Sequence, residues 1–295
     1  MFHRDTRSRA MKPPRFDYER PTTVGEVLDL LAAHDDDASL LAGGQSLLPL
    51  LNMRFARPEV VIDLERVDGL DTIEVTPQAV VVGAGVRLAR LERDPEVAAA
   101  LPVLPRAVSF VAHPQIRNRT TIGGSLCHAD PAAELPCVAI ATGARLHLRS
   151  KLGDRTVDAA DFFESVFMTS KRSDELLVAV EFPRTAGLTY RYDEIARRHG
   201  DFPFVGLCLG LAAQDGVVTA VRAAAAGVAD KPLRLEGLER AFVGRSIAEA
   251  TEPAAQAASA EAAPTNDQHG SAEFRRGLLR GLVRRLAGEF TEAMA

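Results

Sequence analysis

Ala42-Gly43-Gly44-Gln45-Ser46-Leu47 and Thr121-Ile122-Gly123-Gly124-Ser125-Leu126 are near-copies set about eighty residues apart. Each joins a Gly pair to a Ser beside an apolar run. A Gly pair tolerates positive φ and lets backbone N–H groups approach a ligand closely. Consecutive N–H groups in such a turn make an anion-binding nest. One nest suggests a phosphate, and two suggest the diphosphate of a dinucleotide held between them. Gly and Ser are also ordinary turn residues, so the residues alone leave a plain connection open. Neither segment is a P-loop, because no Lys-Ser/Thr follows the glycines. Neither has the Gly-x-Gly-x-x-Gly spacing. Gly83-Ala84-Gly85 begins like one, but position 88 is Leu.

The rest of the chain sets the context. Its 295 residues can hold two domains. A composition 46% hydrophobic and 25% charged is that of a globular protein. The net charge of −5 gives no sign of nucleic-acid binding. No apolar run approaches the roughly 20 residues that span a bilayer, and the cytoplasm is the default location. The three cysteines, Cys127, Cys137 and Cys208, form no Cys-x-x-Cys. That spacing argues against an iron–sulfur cluster, a structural zinc or a disulfide scaffold. Residues 1–10 hold three Arg and no apolar core, and read as a disordered extension with Met11 as an alternative start.

Periodicity then gives the elements. Thr23 and Glu26 make a capping box, and Val24, Val27, Leu28 and Leu31 share one helical face. Ser39–Leu41 is a short strand leading into the first glycine segment, and Val60–Leu64 is a strong strand. Ile73–Val75 and Val80–Val82 flank a hairpin turn. Helices are expected over Leu88–Leu101, with Pro95 in its middle, over Val103–Val111 and over Ala132–Ala141. Strands are expected at Ala144–Leu148 and Glu175–Phe182, with a helical turn at Asp161–Val166 between them. Residues 11–183 thus form one unit with two subregions, each carrying a glycine segment. Residues 184–295 form a second, α+β unit. Its strands are Leu188–Ala196, Val205–Ala213 and Val217–Gly227, with helices on one face at Leu233–Phe242, Ala254–Ala263 and Ser271–Phe290. The last helix is basic and amphipathic, which can serve a membrane surface. Its narrow apolar stripe, without Trp, favours docking on the sheet.

From about Met11 to the C-terminus the chain resembles the FAD-binding medium subunits of molybdenum hydroxylases, the carbon monoxide dehydrogenase and xanthine dehydrogenase family. The two glycine segments carry the resemblance, together with Lys12-Pro13-Pro14-Arg15-Phe16, His113-Pro114-Gln115-Ile116-Arg117, His128-Ala129-Asp130-Pro131 and Arg197-Arg198-His199-Gly200-Asp201-Phe202. Many relatives have Gly where this chain has Thr120. The resemblance implies an α+β fold: a two-subdomain FAD-binding domain of the vanillyl-alcohol-oxidase type, followed by a small α+β domain with a three-stranded antiparallel sheet and helices.

It also implies the site. Ala42, Gly43, Gly44, Gln45 and Ser46 would form one wall around the FAD diphosphate, and Thr121, Ile122, Gly123, Gly124 and Ser125 the other. Glu134 would meet the adenosine ribose, and Asp201 and Phe202 would border the isoalloxazine. Read without the resemblance, Glu134 is also a helix N-terminal charge, and Arg197–Asp201 a solvated connection. His113, His128 and His147 lack a metal-ligand spacing, and no metal site or catalytic residue is assigned. Flavin would carry the redox chemistry. Since the chain has no cluster cysteines, its electrons would come from a partner [2Fe–2S] small subunit, with substrate oxidised on a molybdenum-cofactor large subunit, in a dimer of heterotrimers. Two other functions stand beside this one: a free-standing FAD-dependent oxidase or reductase of the same fold, and a nucleotide-binding module with no redox role.

Overall fold

The computed structural model describes residues 11–294; the expectation for residues 1–10 lies outside them. The N-terminal lobe contains β1 (Asp17–Glu19), α1 (Val24–His34), a 3-10 turn (Asp35–Asp37), β2 (Ala38–Leu41), α2 (Leu47–Asn52) and β3 (Val60–Asp63). Its sheet has the order β1-β3-β2 with parallel pairing throughout. The capping box of α1 forms as expected: the Thr23 hydroxyl accepts from Glu26 N, and Glu26 reaches back to the Thr23 N–H. Val27, Leu28 and Leu31 bury against Val60 and Ile62 of β3.

The second lobe runs through β4 (Ile73–Val75), β5 (Ala79–Gly83), α3 (Leu88–Arg93), α4 (Pro95–Ala100), α5 (Val103–Phe110), α6 (Pro114–Arg117), α7 (Ile122–His128) and α8 (Glu134–Thr142). It continues with β6 (Arg145–Ser150), β7 (Gly153–Asp158), α9 (Ala159–Phe162), β8 (Phe163–Ser165), β9 (Met168–Thr169) and β10 (Leu176–Pro183). Its main sheet has the order β4-β5-β10-β6-β7. The single helix expected across Pro95 is two. Asp94 ends α3 and caps α4, its Oδ1 accepting from Glu96 N and Val97 N at 3.0 Å each, with Pro95 in the first turn where its missing N–H costs nothing. Loss of such a cap costs about 1 kcal/mol. Asp94→Ala is therefore expected to lower the urea midpoint with an unchanged slope; an unmoved midpoint would deny the cap any role.

The C-terminal unit holds β11 (Thr189–Ile195), β12 (Val205–Gln214), β13 (Val217–Ala226), β14 (Leu233–Arg234), α10 (Glu236–Phe242), α11 (Ile247–Glu261) and α12 (Ala272–Met294). The sheet is antiparallel with a fourth, two-residue strand, β14, at the start of what reads in the sequence as a helix. Successive side chains of a strand face opposite sides. Leu207, Leu209 and Leu211 of β12 meet α10, α11 and α12, where Leu279, Leu282, Val283 and Leu286 are buried. The basic final helix is thus docked on the sheet. The opposite face is covered too, contrary to the one-sided reading. There Cys208 and Ala224 pack on α8, whose residues 134–142 are all buried. Gly206 and Gly210 lie on that face as slots for Tyr192 and Tyr190 of β11; a Cβ at Gly210 would stand 2.4 Å from the Tyr190 ring. A helix buried on every side joins the two units through one apolar core.

Candidate functional site

Strands β2 and β3 are parallel, and ligands bind beyond the carboxyl ends of such strands. Here a cleft of about 1060 Å³ opens where they end, between the N-terminal lobe and α7. That is at the upper end of small-molecule sites, about 300–1,000 Å³, and has room for a dinucleotide.

Ala42–Ser46 links β2 to α2 along one wall. Gly44 has φ +74°, and the Ser46 hydroxyl makes no cap bond to α2. The N–H groups of Gly43, Gly44, Gln45, Ser46 and Leu47 donate to no group among the described residues. Five successive free donors beside a cleft are a receptor for anionic oxygens. Gly43 is required by contact: a Cβ there would lie 2.4 Å from Arg119 O and 2.8 Å from Thr120 Cα. The Arg119 carbonyl is itself held by the Arg87 guanidinium.

The second segment differs from its expected form. Gly123 and Gly124 are not a turn but the first turn of α7, capped by Thr121, whose Oγ1 accepts from Gly124 N at 3.0 Å. Ile122 N donates to Val86 O (3.0 Å) and Gly123 N to Ala84 O (2.9 Å). These donors are spent, so this segment is not a second nest. Gly123 is needed because a Cβ would stand 2.5 Å from the Ala84 Cβ. Thr121, Gly123, Gly124 and Ser125 do line the cleft, whereas the Ile122 side chain is fully buried in the core.

Glu134, in the first turn of α8, lines the cleft while only 5% exposed. Its carboxyl makes no hydrogen bond to another described residue. Burial first, and then the nearby Glu194 charge, push its pKa up to about 8. Glu194 is pushed up to about 7, chiefly by burial, although the Tyr192 hydroxyl donates to it at 2.8 Å and favours its charged form. Asp201 lines the cleft and pairs with Arg198 at 3.1 Å. Its loop rests on the second lobe because Gly200, at φ +86°, faces Ala112 O and the His113 ring. Eleven of the twelve expected residues therefore share one cleft, with Ile122 the exception.

Other lining residues escape the sequence reading. Leu64–Asp71 follows β3, and the rule for parallel strand ends would have found it. Asp35, Ala112, Lys171 and Ser173 also line the cleft; Asp35 and Ala112 have positive φ, which Ala does not signal and Asp signals only weakly. Among the described residues no group of three or more His, Cys, Asp or Glu is placed to hold a metal ion, and no helix is long and apolar enough to cross a membrane.

Comparison with known proteins agrees with this geometry. The family described as "FAD binding domain in molybdopterin dehydrogenase" matches residues 14–185, and "CO dehydrogenase flavoprotein C-terminal domain" matches residues 190–290. The chain belongs to the FAD-binding subunits of the molybdopterin dehydrogenases. It is 40% identical over 277 residues to the nicotine 6-hydroxylase medium subunit of Paenarthrobacter nicotinovorans, covering 93% of this chain and 97% of that one. A chain of carbon monoxide dehydrogenase from Hydrogenophaga pseudoflava superposes with a TM-score of 0.90 at 38% identity, covering 92% of this chain and 96% of that one. Quinoline 2-oxidoreductase from Pseudomonas putida 86 gives 0.90 at 38%, covering 94% and 97%. FAD is the cofactor of this family, and the chain is an oxidoreductase subunit of the carbon monoxide dehydrogenase and xanthine dehydrogenase type. The cleft fits that cofactor: it offers free N–H donors for a diphosphate and a buried carboxyl, with no hydrogen bond to another described residue, for a hydroxyl-bearing group.

Proposed function

We propose that this subunit carries electrons and does not itself touch the substrate that is oxidised. It takes them from the [2Fe–2S] clusters of a small subunit and passes them to an acceptor, with a molybdenum-cofactor large subunit completing a heterotrimer that pairs into a dimer in the cytoplasm. The observation that carries the reading is the row of free N–H groups from Gly43 to Leu47 beside the cleft. These donors, with the Ser46 and Ser125 hydroxyls, solvate the diphosphate. Glu134 takes the adenosine ribose; with a pKa near 8 it is largely protonated at neutral pH, and can both donate to and accept from a diol. Asp201 and Phe202 border the flavin ring. FAD supplies the conversion between single electrons and pairs, and the protein positions it. We place the division between the FAD-binding domain (residues 11–183) and the C-terminal domain (184–295) at the link between β10 and β11.

Hydrogen exchange tests the placement. Adding FAD to the flavin-free chain should slow exchange at residues 43–47; bound flavin without protection there would overturn it. The FAD-loaded chain alone should not oxidise heterocycles or aldehydes. Turnover without partner subunits would mark it as a free-standing oxidase.

A further inference from the structure

Away from the glycine segments, two pieces from different sheets meet at the cleft wall. One is the turn Asp35–Asp37 after α1, with Asp35 at φ +45°. The other is the link from β9 to β10, residues 170–175. They touch where the Ser173 hydroxyl donates to the Asp35 carboxylate. Asp35, Asp36, Lys171, Ser173 and Leu176 all line the cleft.

Glu175, 1% exposed, sets the shape of this link. Its Oε1 accepts from Arg155 Nε at 2.6 Å, and its Oε2 from Arg155 Nη2 at 2.9 Å and Arg172 N at 2.7 Å. Arg155 Nη2 also donates to Ser170 O at 2.6 Å, tying the start of the link to its end. Lys171 Nζ donates to Arg172 O (2.9 Å) and Glu175 O (3.1 Å), folding the ammonium onto the link's own carbonyls. Burial alone would raise the Glu175 pKa, but the Arg155 and Arg172 hydrogen bonds and charges hold it below the usual carboxylate range, so it is ionised at neutral pH. A bidentate Arg–carboxylate pair fixes geometry as well as charge.

The link and the Asp201 loop bear on different parts of the second lobe. Gly200 rests on Ala112–His113, before α6. The 170–175 link follows β9, which packs against α7, and Lys171 lines the cleft together with Cys127 near the C-terminal end of that helix. With the diphosphate at the glycine segments and the flavin ring at Asp201–Phe202, the space beside Lys171–Ser173 is left for the adenosine half. We propose that Glu175 is a positioning residue for that half of FAD: it holds Lys171–Ser173 against Asp35, and this clasp closes the adenosine end of the cleft. The proposal rests on the placement of FAD given above.

The test compares the full flavin-free chain with its Glu175→Gln form. Gln would turn an amide N–H toward Arg155 or the Arg172 N–H. FAD affinity is expected to fall about tenfold, and ADP, which carries the adenosine half, to lose a similar factor. FMN, which lacks that half, should change less than twofold. Ser173→Ala removes the clasp without touching the buried carboxylate. It should lower FAD affinity severalfold and spare FMN, which keeps the test open if Glu175→Gln does not fold. Equal losses for FAD and FMN, or unchanged FAD binding in both variants, would overturn the proposal. Failure of the underlying placement would show separately, as unprotected residues 43–47 in the FAD-loaded wild-type chain.

Discussion

Gly43→Ala is expected to yield a chain that purifies with little or no flavin and binds added FAD about 10- to 100-fold more weakly. The added methyl would stand 2.4 Å from Arg119 O and 2.8 Å from Thr120 Cα. Both neighbours are backbone and cannot rotate away. Arg87 holds the Arg119 carbonyl, and Thr120 is pinned by its N–H and hydroxyl, which both donate to Ile116 O. The Ala42–Ser46 segment must therefore move. Overpacking of this kind costs about 1–3 kcal/mol, and each 1.4 kcal/mol is about tenfold in affinity. The displaced atoms carry the free N–H donors, so the loss falls on binding. FAD affinity equal to wild type, in a folded variant, would contradict the account.

Glu134→Gln is expected to stabilise the flavin-free chain at alkaline pH and to flatten its dependence on pH. The folded pKa of Glu134, about 8, lies above its unfolded value of 4.5. A raised pKa means that the folded chain resists losing this proton. Its contribution is fully present below about pH 4.5 and is lost as pH rises toward 8. Glu194, pushed up to about 7, acts in the same direction over a narrower window. One pKa unit is about 1.4 kcal/mol, so the Glu134 shift corresponds to at most about 5 kcal/mol. Gln cannot ionise and removes this loss. At pH 8.5 the melting midpoint of the variant should exceed that of wild type by about 5 °C or more, and at pH 5 the two should nearly coincide. A constant difference across that range would show that Glu134 is already ionised at pH 5.

These two residues mark how far the sequence was legible. The first glycine segment was legible as a connection, because a Gly pair and a Ser between a strand and an apolar run are turn residues whose N–H groups can stay unpaired. Thr121–Leu126 reads as its equivalent and is not. Its N–H groups are taken by Ala84 and Val86, about forty residues upstream, and local pattern does not register that pairing. The same pairing explains Gly83-Ala84-Gly85, which reads as a broken dinucleotide motif and serves as packing surface for Gly123 and for the Leu70 backbone. The Thr23–Glu26 capping box and the stripe of the final helix were visible because their signals lie within a few residues. Strand β7 was missed because only Arg155 and Val157 of its Gly153–Asp158 run are half-buried, and a single apolar residue gives no period. The slots at Gly206 and Gly210 depend on the register with Tyr192 and Tyr190, a property of pairing and not of either strand alone. Glu134 was marked as a ribose contact, but its depth, and with it the raised pKa, follows from α8 being covered by the C-terminal sheet.

The electron-carrying role is tested most directly by mixing the FAD-loaded chain, without oxygen, with a separately prepared and reduced [2Fe–2S] small subunit. The expected result is bleaching of the visible flavin band with a matching return of the oxidised cluster spectrum. Clusters that stay reduced beside an unchanged flavin would contradict the account.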